Sequence, residues 1–185
     1  MEKITSSLEE QRSAFSKRKF LATPLAGIIV WLIIGIAGLV LPLKEIVWVL
    51  FIGTGSIVYL GLFISKFTGE NFMEKNKAKN AFDTLFFIAV GQSVLVYSIA
   101  IPFFMSDASS LPLTVGILTG LMWLPFSWII QHWVGFFHTT VRTLSILILW
   151  YAFPESRFVA IPFAIVIIHL ITIQIFISRR KKLKT

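Results

Sequence analysis

The chain has 185 residues, 56% of them hydrophobic and only 14% charged, with a mean hydropathy of +0.83. A soluble domain typically carries about 25% charged residues, and so oily a chain has too few polar groups to cover itself in water, a requirement that lipid removes. The lack of cysteine excludes disulfides and thiolate metal sites.

Residues 1–20 read as a cytoplasmic amphipathic segment. Ser6 with Glu9, and Ser7 with Glu10, have capping-box spacing. Ile4, Leu8 and Phe15 can share one helical face, with Lys17, Arg18 and Lys19 at the lipid headgroups. A solvated leader that merely orients the first span is the plainer reading. The polar residues that precede the first long apolar run, and its lack of a small-residue ending, argue against a cleaved signal peptide.

A hydrocarbon core of about 30 Å needs about 20 apolar residues in helical form. Uncharged runs of that length cover Leu21–Leu41, Ile46–Ser65, Thr84–Met105 and Phe158–Ser178. Between Ala108 and Pro154 the only formal charge is Arg142, and the stretch suits two spans, Leu111–Ile130 and Val134–Phe153. The expected fold is therefore all-α, a polytopic bundle of six transmembrane helices (residues 21–178) followed by a basic cytoplasmic tail, 179–185. Of the 17 lysines and arginines, fifteen fall on one side of this map and two, Lys44 and Arg157, on the other. Basic residues stay cytoplasmic during insertion, so both termini are expected in the cytoplasm of a cell membrane. Distributed along membrane borders without a base-stacking pattern, these cations point to anionic lipid headgroups as partners and not to nucleic acid.

Polar side chains inside lipid are costly and need a partner or a water-filled cavity. Arg142 has His138 four residues before it and Ser145 three after, all on one helical face. Asp83, at the start of the third span, is the expected counter-ion; the pair would either lock two helices or serve a substrate or proton path. His169 and Gln92 fall near the centres of their spans, where transporter sites commonly lie, and a hydrogen bond between them would equally serve packing.

Trp123, Trp128, Gln131, His132 and Trp133 read as an interfacial aromatic belt, with a pocket shared by His132 and His138 as the sharper option. Histidines six apart without a carboxylate make a weak metal site, and no metal or cofactor is expected. Gly116 and Gly120 form a G-x-x-x-G that admits close helix packing, and Gly53 and Gly55 leave a smooth surface on the second span. Pro125 is the interior proline expected to bend its helix. No H-E-x-x-H, G-x-S-x-G or Walker-type loop occurs, so an enzyme is not expected.

The strings FIGTGSIVYLGLFISKFTGENFMEKN (Phe51 to Asn76) and LTGLMWLPFSWIIQHW (Leu118 to Trp133) resemble a family of small bacterial membrane proteins known only as a domain of unknown function. That resemblance implies an uncharacterised integral membrane protein and transfers no catalytic residue. The functional expectation is a bundle that binds or transports a small molecule or ion along Arg142, His138, His169, Gln92 and Asp83. The alternative is a non-transporting structural or regulatory subunit, self-associating or bound to a membrane partner.

Overall fold

The computed structural model describes residues 6–70, 72 and 80–183, and these contain helices and turns but no strand. Helix α1 (Leu8–Ser16) begins at Ser7, whose hydroxyl accepts from the Glu10 N–H at 3.2 Å while the Glu10 carboxylate accepts from the Ser7 N–H at 2.7 Å. Of the two expected capping boxes, this is the one that closes. The expected apolar face does not form as a unit. Phe15 is buried beside Phe20, Phe82 and Phe86, but Leu8 is 64% exposed, and Ile4 lies outside the described residues. Arg12 ties α1 to the bundle by donating to the Trp128 and Ile129 carbonyls, its guanidinium 4.0 Å from the Trp128 ring centre.

Helix α2 (Ala22–Val40) stops where Pro42 forces Leu41 into extended backbone, and α3 (Leu43–Thr68) starts directly after that proline. Gly69 ends α3 in the left-handed region at φ 74°, the conformation glycine adopts most readily. Asn80 caps α4 (Ala81–Leu95), its side chain accepting from the Phe82 N–H at 2.8 Å, and one turn residue, Val96, separates α4 from α5 (Tyr97–Ser106). The next span is broken as expected. Pro125 has no N–H for the carbonyl of Leu121, and α6 (Leu111–Gly120) gives way to α7 (Trp123–Ile129) at Leu121–Met122. Helix α8 (Val134–Ala152) and the long α9 (Arg157–Lys182) complete the chain.

Hydrogen bonds define two ends of the bundle. At one end α1, the junction Lys17–Leu21, Thr68–Glu70, Asp83, Ile129–Ile130 and Arg179 are tied together. At the other, Arg157 donates to the Trp150 carbonyl at 3.1 Å and to the Ser109 hydroxyl at 2.5 Å, joining two further turns. Five helical stretches are long and apolar enough to cross a bilayer: Ala22–Val40, Leu43–Thr68, Ala81–Ser106, Ala108–Ile129 and Pro154–Lys182. Six were expected. The missing one is α8, which at 19 residues is about 28 Å long and runs between the same two ends. Its composition falls short because His138, Arg142 and the threonines beside them dilute its apolar residues.

The bundle centres on α2, which packs along both α3 and α9. Pro162 denies the Phe158 carbonyl its helical donor, and Gly38 brings α2 against that carbonyl so closely that a Cβ there would lie 2.5 Å from it. Large apolar side chains such as Trp48, Ile52, Tyr59, Phe63 and Phe67 line the outside of α3. A water-soluble protein rarely tolerates a contiguous apolar patch of that kind, whereas lipid matches it. The protein is thus a membrane-embedded helical bundle.

Candidate functional site

Helix α8 carries three buried polar residues, His138, Thr139 and Arg142, and the break between α6 and α7 accommodates two of them. At that break the Leu124 N–H turns back to the Leu121 carbonyl, and the Gly120 carbonyl instead accepts from the Thr139 hydroxyl at 3.0 Å. One turn further along α8, Arg142 is 2% exposed. Its Nε donates to the Gly116 carbonyl at 2.8 Å, and its Nη2 donates to the Thr119 hydroxyl at 3.0 Å. The guanidinium carbon sits 5.5 Å from the Trp31 ring centre, within cation–π range. A Cβ at Gly116 would meet Ile146 at 2.9 Å, and one at Gly120 would meet the Arg142 side chain at 3.0 Å. The G-x-x-x-G pair therefore makes room for α8 and its arginine.

The expected counter-ion is elsewhere. Asp83 pairs with Arg18 at the end of the bundle, and among the described residues no carboxylate lies within ion-pair distance of Arg142. Asp83 stands at the start of α4, which packs on α1, whereas Arg142 faces α6. Among the described residues this buried cation is held by neutral dipoles alone, an arrangement that costs several kcal/mol unless a compensating charge or water reaches it.

Two imidazoles pack behind it. The Thr172 hydroxyl donates to the Ile168 carbonyl at 2.8 Å, so toward His138 Nδ1, also at 2.8 Å, it can only accept. That assigns the proton of neutral His138 to Nδ1 and leaves Nε2 as a buried acceptor with no partner among the described residues. His169 likewise donates from Nδ1 to the Ile165 carbonyl at 2.9 Å, leaving its Nε2 as an acceptor. The two rings meet edge to face with centres 4.7 Å apart, and His138 stacks on Trp123 at 4.4 Å. No third side chain of ligating type joins them among the described residues.

Other expected members are not here. Gln92 is exposed on the outer side of α4 and makes no bond to His169. Trp123 is buried at 4% and belongs to the histidine cluster, not to an interfacial belt; Trp128 and Trp133 are exposed. His132 stacks on Trp133 and accepts from the Val134 N–H at 3.2 Å, so it shares no pocket with His138. Gly53 faces Val30 of α2, and Gly55 has only the Tyr97 hydroxyl, 4.0 Å from where its Cβ would be. Gly27, which sequence reasoning passed over, leaves the space that the His169 ring fills: a Cβ there would lie 2.4 Å from Nε2.

Arg142, His169, Thr119 and Trp123 line one wall of a cleft of about 720 Å³, its open side included. Opposite them stand Thr54, Val58 and Leu62 of α3 and Phe86, Val90 and Ser93 of α4. The cleft exists because α4 packs on α1 and α7 and hardly touches α3. Beside the cleft the hydroxyls of Tyr97 and of the lining Thr54 bond at 2.6 Å and hold α5 to α3. The arrangement is a mostly apolar slot with one cation and an imidazole acceptor at its base, suited to holding an amphipathic molecule by its polar head.

A family of unknown function, DUF7010, matches residues 8–179. The chain belongs to that family. No curated protein and no solved structure matches it. Membership assigns no role to any residue.

Proposed function

We propose that the protein binds a small amphipathic acid, of the fatty-acid type, in the cleft between α3, α4 and α8, as a non-catalytic step in storing or moving it within a cell membrane. The single observation that carries this reading is Arg142, buried in the wall of an apolar slot without a carboxylate partner among the described residues. An anionic head supplies the missing charge and an alkyl chain matches the aromatic and aliphatic walls. Arg142 has further N–H groups beyond the two given to Gly116 and Thr119, and these donate to the head. In this reading α8 is the sixth span, its polar face buried against its neighbours and its Phe136, Leu144 and Ile148 turned to lipid. The basic residues clustered at the α1 and α9 end support an orientation with both termini in the cytoplasm of a cell membrane.

The test is equilibrium binding of radiolabelled decanoate and of methyl decanoate to the purified protein in a neutral detergent. The acid is expected to bind saturably and the ester at least tenfold more weakly, about 1.4 kcal/mol. Arg142→Gln should lose most of the difference, and Arg142→Lys should retain part of it. Equal affinity for acid and ester in the native chain, or unchanged acid binding in Arg142→Gln, would overturn the reading.

A further inference from the structure

A second hollow, of about 580 Å³ with its open side included, lies at the basic end between the α1–α2 junction and the last turns of α9. Its floor is apolar (Phe20, Leu21, Phe176 and Ile177), and its rim carries Arg18, Lys19, Arg179, Arg180 and Lys181. Arg18 is paired with Asp83. Lys19 donates to the Thr68 carbonyl at 2.8 Å, and Arg179 to the Ile130 carbonyl at 3.1 Å, bonds that orient the cations without cancelling their charge. Arg180 and Lys181 make no ion pair with a described carboxylate. Glu70 is the other carboxylate nearby; one of its oxygens accepts from the N–H groups of Leu21 and Ala22, at 2.8 and 2.9 Å, at the start of α2.

Cations that only set topology need no common target. These come from segments about 160 residues apart in the sequence and converge on one concave patch whose floor is oily and whose rim is positive. We infer that this hollow is a binding site for one acidic phospholipid of the bilayer, its phosphate and headgroup held by Lys19, Arg179, Arg180 and Lys181 and the start of its acyl chains laid on Phe20 and Phe176. The site is separate from the Arg142 cleft and does not depend on what that cleft binds.

The experiment compares phosphatidylglycerol and phosphatidylcholine with the same acyl chains, and inorganic phosphate, as ligands of the full detergent-solubilised chain. Native mass spectrometry reads occupancy and thermal unfolding reads stabilisation. Phosphatidylglycerol is expected to bind at one equivalent and at least tenfold more tightly than phosphatidylcholine, with millimolar phosphate failing to displace it. Arg180→Gln with Lys181→Gln should weaken it roughly fivefold for each cation removed, while Lys44→Gln at the opposite end leaves it unchanged. Equal occupancy by the two lipids would overturn the inference, and that comparison stands on the native chain even if the double variant does not fold. Displacement by free phosphate, or a double variant that binds as the native chain does, would overturn it as well.

Discussion

Helices α8 and α4 are both membrane-length segments or parts of one, and they reverse the pattern familiar from soluble proteins. Helix α8 is the more polar, yet α2, α6, α7 and α9 bury its His138, Thr139 and Arg142. The stretch Ala81–Ser106 that contains α4 qualifies as a span on composition, yet Phe87, Ile88, Val94, Leu95 and Ile99 are exposed. With hydrocarbon outside, apolar surface gains little by being buried, and it is polar groups that must find protein partners. Composition alone therefore leaves α8 outside the five membrane-length stretches because of the polar residues that its neighbours bury.

The comparison breaks most readily at glycine. Gly135, at the start of α8, lies so close to α7 that a Cβ would sit 2.2 Å from the Trp123 carbonyl, whereas one at Gly91 of α4 would meet nothing within 4 Å. Gly135→Ala should cost about 2–3 kcal/mol or more in unfolding free energy, the upper part of the range for overpacking, and Gly91→Ala should be neutral or slightly stabilising in the same denaturation series. Next in size is Thr172→Val, which removes the partner of His138 Nδ1 inside the bundle. Interhelical hydrogen bonds in membranes are worth about 0.6–1.7 kcal/mol, and the loss should fall in that range. Asp83→Asn on the α4 side should cost less, under about 1 kcal/mol, because that pair with Arg18 is partly exposed and screened by salt.

The smallest effect concerns pH. Burial, then Arg179 and Lys182, hold the His132 imidazole below its ordinary value of 6.5. A histidine with a depressed folded value is favoured neutral, so its contribution is full above 6.5 and declines as pH falls below it, levelling off below the folded value. His132→Gln should flatten that part of a stability–pH profile measured by thermal unfolding.

The architecture was largely legible in the sequence, because run length and charge spacing are one-dimensional properties that lipid selects directly. The importance of Arg142 was legible too, since a lone charge within an apolar stretch has few explanations. Its surroundings were not. Asp83 lies on the expected side but on a helix that packs against α1, and that rotation and placement leave no local trace. Gln92 was placed inward because it sits mid-span, yet Ala81–Leu95 has apolar residues all around and no stripe to reveal its inner face. Trp123 looked like its neighbours Trp128 and Trp133 until the break before α7 turned it inward. Gly27 carried no signal that sequence alone offers, because its reason is a histidine from α9.

The account is tested most directly by a single thiol placed in the cleft. Ser93 lines it, and the chain has no other cysteine to interfere. Modification of Ser93→Cys by a maleimide should be slowed by decanoate in a saturable manner and be indifferent to methyl decanoate, with the protection lost when Arg142→Gln is added. Equal protection by acid and ester, or protection that survives the loss of Arg142, would contradict an acid-binding cleft built around that arginine.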